Sequence, residues 1–492
     1  MNLKWAENSS KNLLSPVSLY CCIVIFFLYK LTDLFVPYFW DELGVYAKAS
    51  LYMYDNHVTL LPGVIPDELS RGHPLLCAAL FGTFYKLLGP SVWAGHLTAL
   101  MLSCTLILVL YLWGRKMYGQ QIAAIACLLL MVQPVFIAQS SMVLPEILLA
   151  LICFAAIFFY INNRLALFAL FSSLAILTKE TAIAVPVTIW FVEICKVILS
   201  RTVTRETFRV FLASLSPLVI WGAFLLLQKS SQGWYFFPLH VGYVSFSLDQ
   251  ILPRLCYYLS FLFKGQGRLL WTAILTLSFI IYLYKQKIES LPIIAGSIEE
   301  LRKMISNKNS LLVLGSFICW GLIVSMFNFH FGRYTLFILP PLCLIVAKSY
   351  SFLFENIRLE LVRVASLLLL ILTPLAYTSS RVFQFDGDMG YSHLVMIQQQ
   401  ATAYLDKHFS VNDVVMSSFP INLGLMETRA GYTDRIYRTL DHPCTAPEKL
   451  KADVFIYSYP GNLEYCNPNT EKLLLLKEFA SSFARVSIYA RK

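Results

Sequence analysis

Hydrophobic runs of about 20 residues recur along this chain from residue 13 to about residue 377. As a helix, each can cross about 30 Å of hydrocarbon, where every backbone N–H and C=O must find its partner within the segment. The pattern predicts spans over residues 13–29, 91–113, 119–138, 143–161, 165–178, 181–198, 209–228, 268–284, 310–327, 334–350 and 361–377. Two further stretches, "HPLLCAALFGTFYKLLG" (73–89) and "DQILPRLCYYLSFLFKG" (249–265), are short or interrupted by charge and read either as spans or as helices lying in the interface. Only 14% of residues are charged and 58% are hydrophobic, against roughly 25% charged in a soluble domain. The expected fold class is therefore an all-α polytopic membrane protein with about 11–13 transmembrane helices plus interfacial helices.

Beyond residue 379 the character changes. Residues 380–492 hold 12 Lys and Arg and 12 Asp and Glu with no long apolar run, which predicts a small water-soluble α/β domain. "SHLVMIQQQATAYLDKHF" (392–409) has helical spacing, while "DVVMSSF" (413–419), "ADVFIYSY" (452–458) and "RVSIYARK" (485–492) have strand character. This domain shows no Gly-rich phosphate loop or nucleophile motif, so it is expected to serve as a lid or acceptor-binding module without a catalytic residue. The domains expected are thus residues 1–379, with an outer loop over 30–90, and residues 380–492.

The formal net charge of +10 belongs to the membrane part. Its Lys and Arg are scattered at helix ends, the mark of membrane orientation rather than of a nucleic-acid surface. With the N-terminus cytoplasmic and both short stretches in the interface, the inner segments hold 17 Lys and Arg against 8 Asp and Glu, while the outer ones are nearly balanced. Treating 73–89 as a lone extra span would put every later basic loop on the wrong side. The first run lacks a small-residue cleavage site and is expected to be an uncleaved span. Ten cysteines fall in or beside apolar runs without metal-ligand spacing and read as packing residues. Cys444 and Cys466, in the soluble part, are able to form a disulfide if that part lies in an oxidising compartment.

This orientation gathers the polar motifs at one extracytoplasmic edge. Asp41 and Glu42 lie in a long outer loop, either as solvated carboxylates or as a general base where a lipid-borne substrate meets an aqueous one. Arg71 and His73 precede the first short helix, as phosphate ligands or as side chains snorkelling to lipid phosphates. Glu146 begins an otherwise uncharged span, where the helix dipole alone is a sufficient reason for a carboxylate. As a second outer acid it is also placed to position an acceptor or, with Asp41, to hold a metal. Lys179 and Glu180 sit between two spans with almost no loop, costly unless they pair or face water. His330, Arg333 and Tyr334 precede a span containing Pro340 and Pro341, which are expected to break helical hydrogen bonding locally. The planar fork of Arg333 suits a phosphate.

Taken in order, these motifs resemble the GT-C fold glycosyltransferases that use a polyprenyl-phosphate sugar, in the branch of the protein O-mannosyltransferases and lipid A aminoarabinose transferases. "WDELGVYAKA" is similar to the acidic motif of their first outer loop, and "GHPLLCAALFGTFYKLLG" to the Pro-led helix after it. "LPEILLALICF" stands at the second acidic motif, "LTKETAIAVP" at the Lys-containing motif and "HFGRYTLFILPPLCLI" at the Arg-Tyr-Pro segment. His73, Glu146 and Glu180 stand where family members often have Lys, Asp and Gly.

The resemblance implies that Asp41, with Glu42 beside it, carries catalysis, and that Arg333, Lys179, His73, Arg71 and Tyr334 surround the donor phosphate. Glu146, Glu180 and His330 would position the acceptor or a metal. A polyprenyl-phosphate-linked sugar is the implied donor, and a lipid, glycan or protein is the acceptor. The implied setting is the extracytoplasmic face of a bacterial inner membrane, among membrane lipids and without nucleic acid. Such a donor carries a good leaving group, so a base for the acceptor hydroxyl and cations for the departing phosphate suffice, and direct displacement would invert the anomeric centre. Asp41, Glu42 and Glu146 also offer oxygen ligands to a divalent cation such as Mg or Mn, and metal use stays open. A transporter or flippase of a lipid-linked saccharide is the alternative; the uncharged spans and the lack of a visible inverted repeat argue against it. A scaffold whose tail recruits partners leaves the ordered outer motifs without a purpose.

Overall fold

The computed structural model describes residues 16–289, 308–328, 330–354, 357, 359–378, 385–440, 452–459, 472–481 and 484–492. Helices dominate up to residue 378, and every expected span coincides with a helix or a broken pair of helices. Among the described residues five are long and apolar enough to cross a bilayer: Pro16–Phe35, Val92–Tyr118, Glu180–Ser200, Arg205–Gln232 and Glu360–Tyr377. The remaining expected spans fall on apolar helices of 10–17 residues. The two short stretches are helices Leu76–Leu88 and Leu248–Phe263.

Prolines set two departures from the expected spans. The run 119–138 divides into Gln120–Met131 and Pro134–Gln139, with Gln133 driven to an extended ψ of 125° by the proline that follows it. The run 334–350 becomes helical only at Leu339. Pro340 and Pro341 therefore occupy the first turn, where no N–H has an intrahelical partner, and they start this helix rather than break it. The polypeptide before them is free to form the short 3-10 turn Gly332–Thr335.

The C-terminal region has the expected α/β character. Strands β1 (Val414–Met416), β2 (Arg438–Leu440), β3 (Val454–Tyr459), β4 (Leu473–Ala480) and β5 (Arg485–Arg491) form one sheet in the order β2-β1-β3-β5-β4. β1 runs parallel to β2 and β3, while β5 runs antiparallel to β3 and β4. β2 and β4 were not foreseen. Alternation along β3 sends Val454 and Ile456 into the core shared with helix Gly390–His408, and Phe455 and Tyr457 into a small cluster on the other face. Cys444 and Cys466 lie outside the described residues.

The larger core runs without interruption from the membrane helices into this sheet. It joins Tyr38, Phe39, Leu43, Leu148 and Leu149 to Leu394, Ile421, Val454 and Ile488. Polar contacts reinforce the junction: the Tyr38 N–H donates to the Ala430 carbonyl at 3.0 Å, and Arg429 pairs with Asp55 at 2.8 Å.

Beneath the junction the Tyr38 and Tyr85 hydroxyls share a 2.6 Å hydrogen bond. A Cβ on Gly95 would stand 2.5 Å and 2.7 Å from those two oxygens, so only glycine lets helix Val92–Tyr118 pass there. Gly95→Ala is expected to cost about 1–3 kcal/mol by overpacking, read as a lower unfolding temperature of the detergent-solubilised protein.

Candidate active site

Arg333 is the centre of the polar cluster. Its guanidinium is only 2% exposed and faces three carboxylates. One terminal nitrogen donates to Asp41 Oδ2 and the other to Asp386 Oδ2, while Nε lies 3.4 Å from Glu146 Oε1. Lys179 Nζ donates to the same Glu146 oxygen at 2.6 Å and stands over the Tyr334 ring, 4.3 Å from its centroid. Such ionic partners offset the cost of burying a guanidinium.

Each member sits at a break in regular structure. Asp41 precedes a π-helical turn, Glu42–Tyr46, and follows Trp40, whose φ of 51° is uncommon for a bulky residue. That turn is braced from the C-terminal region by the ring of Phe419, edge-on to Trp40 at 5.0 Å. Glu146 lies in the first turn of Pro145–Ile161. Lys179 is an extended residue separating helices Leu165–Thr178 and Ala184–Ser200. Gly332 lets the Arg333 turn approach Phe261, since a Cβ there would stand 2.4 Å from the ring.

Asp386 is the member that sequence reasoning missed: the C-terminal region, expected to hold no catalytic residue, brings a carboxylate into contact with Arg333. It lies on the turn Phe385–Gly387, whose carbonyls are held by two membrane-part glutamines. Gln139 donates to the Asp386 carbonyl and Gln266 to the Gly387 carbonyl, both at 2.7 Å. No local pattern in "FDGDMG" marks this aspartate; only the distant pairing with Arg333 does.

A second group lies beside the first. His73 Nδ1 contacts Glu180 Oε2 at 3.2 Å, and its ring stacks on Tyr46 and against His240. Arg71, in a left-handed turn at φ 46°, makes no side-chain hydrogen bond or ion pair among the described residues, yet its charge acts on Asp41. His240 is held down at about 4 by burial, and then by the neighbouring His73 and Arg71 charges.

Two expected residues lie elsewhere. Glu42 is 1% exposed and turned inward, taken up by His96 and by the backbone N–H groups of Phe39 and Val143, so its carboxylate does not face the cluster. His330 is exposed and packs on Tyr257, with ring centroids 4.8 Å apart. Among the described residues no group of three or more His, Cys, Asp or Glu side chains is gathered as a metal-ligand set. Asp41, Glu146 and Asp386 all point at a guanidinium instead.

Glu146, Lys179, Thr181, Arg333 and Tyr334 line a small cleft with an apolar wall that includes Val324 and Phe337. Glu146 Oε2 and Arg333 Nε are buried without a hydrogen-bond partner among the described residues. A ligand offering one donor and one acceptor oxygen would satisfy both. Burial raises the Asp41 carboxyl, but Arg333, Lys179 and Arg71 outweigh it and hold Asp41 below the usual carboxylate range. For Asp386 burial prevails, pushing it up to about 6 despite Arg333.

The architecture is that of the GT-C membrane glycosyltransferases, and the chain is an integral membrane protein with this fold. Residues 72–221 match the family described as dolichyl-phosphate-mannose-protein mannosyltransferase. The structure is similar to that of ArnT from Cupriavidus metallidurans in the apo state, with a TM-score of 0.58 at 13% identity over 96% of this chain and 98% of that one. Against the same protein bound to undecaprenyl phosphate the TM-score is 0.57 at 14% identity, over 96% and 97% of the two chains. It is also similar to the Archaeoglobus fulgidus oligosaccharyltransferase tethered with an acceptor peptide, with a TM-score of 0.50 at 12% identity over 90% of this chain and 69% of that one. No curated protein sequence matches the chain.

A carboxyl raised to about 6 from an ordinary 3.8 stabilises the folded state below the ordinary value, and that contribution fades as pH rises through about 6. The stability of the protein relative to Asp386→Asn is therefore expected to fall between pH 4 and pH 7. Parallel thermal-unfolding curves of the two proteins across that range check the sign.

Proposed function

We propose that this protein transfers a sugar from a polyprenyl-phosphate donor to an acceptor hydroxyl at the extracytoplasmic edge of a bacterial inner membrane. The observation that carries this reading is one ion cluster that joins a partly accessible carboxylate, Asp41, to the buried cation Arg333, which with Lys179 also lines the neighbouring cleft. Asp41 is 27% exposed, whereas Asp386 and Glu146 are 1% and 3% exposed. Of the three acids on Arg333, Asp41 is therefore the one an acceptor can reach.

In the proposed reaction Asp41 takes the proton of the acceptor hydroxyl as its oxygen attacks the anomeric carbon. The bond from that carbon to the phosphate oxygen breaks, and its electron pair leaves on the polyprenyl phosphate. Arg333 and Lys179 meet that charge, with Arg71 and His73 at the outer side of the same site. One direct displacement inverts the anomeric centre. Arriving phosphate competes with Asp41 for the Arg333 fork, and a carboxylate released from a guanidinium recovers proton affinity. Base strength thus rises as the donor binds. The free Glu146 oxygen suits a sugar hydroxyl, and the C-terminal region, in contact with the Asp41 turn, suits a lid or acceptor platform for a lipid, glycan or protein.

Three features support this: the fold, the match to the mannosyltransferase family over 72–221, and the pairing of base and cations in one ion cluster. Asp41→Asn is expected to lower transfer at least about 100-fold while keeping donor binding, and Arg333→Ala to lose donor binding itself. Labelled polyprenyl-phosphate sugars incubated with purified protein and a membrane extract of acceptors provide the assay. Unchanged transfer by Asp41→Asn, or donor movement across liposomes without covalent transfer, overturns the reading.

A further inference from the structure

Glu42 and His96 form a buried pair that the transfer chemistry does not use. Glu42 Oε2 accepts the Phe39 N–H at 3.1 Å. Its Oε1 accepts the Val143 N–H at 2.6 Å and lies 2.9 Å from His96 Nε2. The other His96 nitrogen, Nδ1, lies 3.1 Å from the Asp33 carbonyl, and the ring sits edge-on to Tyr38 at 5.3 Å. The imidazole is 4% exposed and both its nitrogens face acceptor oxygens.

Glu42 thereby touches both acidic loops. Phe39 stands two residues before Asp41, and Val143 stands three before Glu146. The Asp41 turn contains the unfavourable φ of Trp40, and such conformations persist only where the surroundings over-determine them. The Val143 loop runs straight into the helix that carries Glu146. Asp33 adds the end of the first span to the same junction. One carboxylate thus fixes the spacing between the proposed base and the acid that holds Lys179.

We propose that Glu42 and His96 are positioning residues, a buried hydrogen-bonded staple that sets the Asp41 turn against the Glu146 loop for the reaction. The effect on turnover rests on the function proposed above, whereas the staple itself does not. Lys179, Arg333 and Arg71 stand on other segments, so loosening the staple misplaces the base more than the phosphate site. A displacement of about 1 Å at a reacting group is worth up to about 100-fold in rate.

Glu42→Gln keeps the side-chain length but removes the charge and puts an amide where three donors converge. The expected result is a kcat about 10- to 100-fold lower, with the donor KM within about threefold. His96→Gln should give the same split. Hydrogen exchange at the Phe39 and Val143 amides should speed up in Glu42→Gln, with amides of the membrane helices still protected and the protein eluting as the native species. Unchanged kcat, or loss of donor binding in step with kcat, overturns the positioning role. Unchanged exchange at Phe39 and Val143 overturns the staple even if no donor is ever turned over; a wild-type protein inert towards every donor, with the exchange effect present, instead overturns the function proposed above.

Discussion

The ion cluster on Arg333 is the constraint around which this part of the molecule is built. A guanidinium taken out of water is costly unless anions surround it, and here the anions come from three separate stretches of chain, with Lys179 offsetting part of their charge. Regular helix has little room for this. A side chain reaches inward at a helix end more readily than from a packed lipid-facing stripe, so Asp41, Lys179, Arg333 and Asp386 all occupy turns or single extended residues. The local irregularities at Trp40 and Lys179 and the start of the proline-led helix after Arg333 are thus different local answers to one electrostatic requirement.

The same requirement ties the C-terminal region to the membrane part. Asp386 reaches Arg333 only because Gln139 and Gln266 fix the carbonyls of its turn, and Phe419 braces Trp40 next to Asp41. A region that reads as an appended soluble domain therefore supplies one ion of the cluster and supports another. Its hydrophobic contacts belong to the same core as those of the outer helices, so movement between the two would disturb the charge balance as well as the packing.

Much of this was legible in the sequence because hydrophobic length and strand alternation are local signals. The spans, the helix at 390–408 and strands β1, β3 and β5 follow from periodicity. Bringing Asp41, Glu146, Lys179 and Arg333 to one edge needed only the count of spans and the sign of the loops. Pairings across long separations were not legible. Asp386 is an ordinary aspartate in a polar stretch until it meets a guanidinium 53 residues earlier in the chain, and His96 sits unannounced near the start of an apolar helix. Two adjacent carboxylates, Asp41 and Glu42, look equivalent as letters. The π-helical turn between Glu42 and Tyr46 leaves one at Arg333 and turns the other to His96.

A comparison within the molecule separates the arginine suited to a ligand from one suited to structure. Arg268 is also fully buried, but it donates to neutral partners, the Gln133 side chain and the Phe261 carbonyl, at 2.8 Å and 2.7 Å. Neutral dipoles cannot leave as ions, so an anion arriving at Arg268 would displace no charged group. At Arg333 the partners are carboxylates, one of them partly exposed. Replacing that carboxylate by a phosphate exchanges one anion for another, leaves the local charge nearly constant and turns the displaced group towards water. Under the proposed function, an ion-paired arginine with one partly exposed anion would receive a charged lipid headgroup without passing through an uncompensated state.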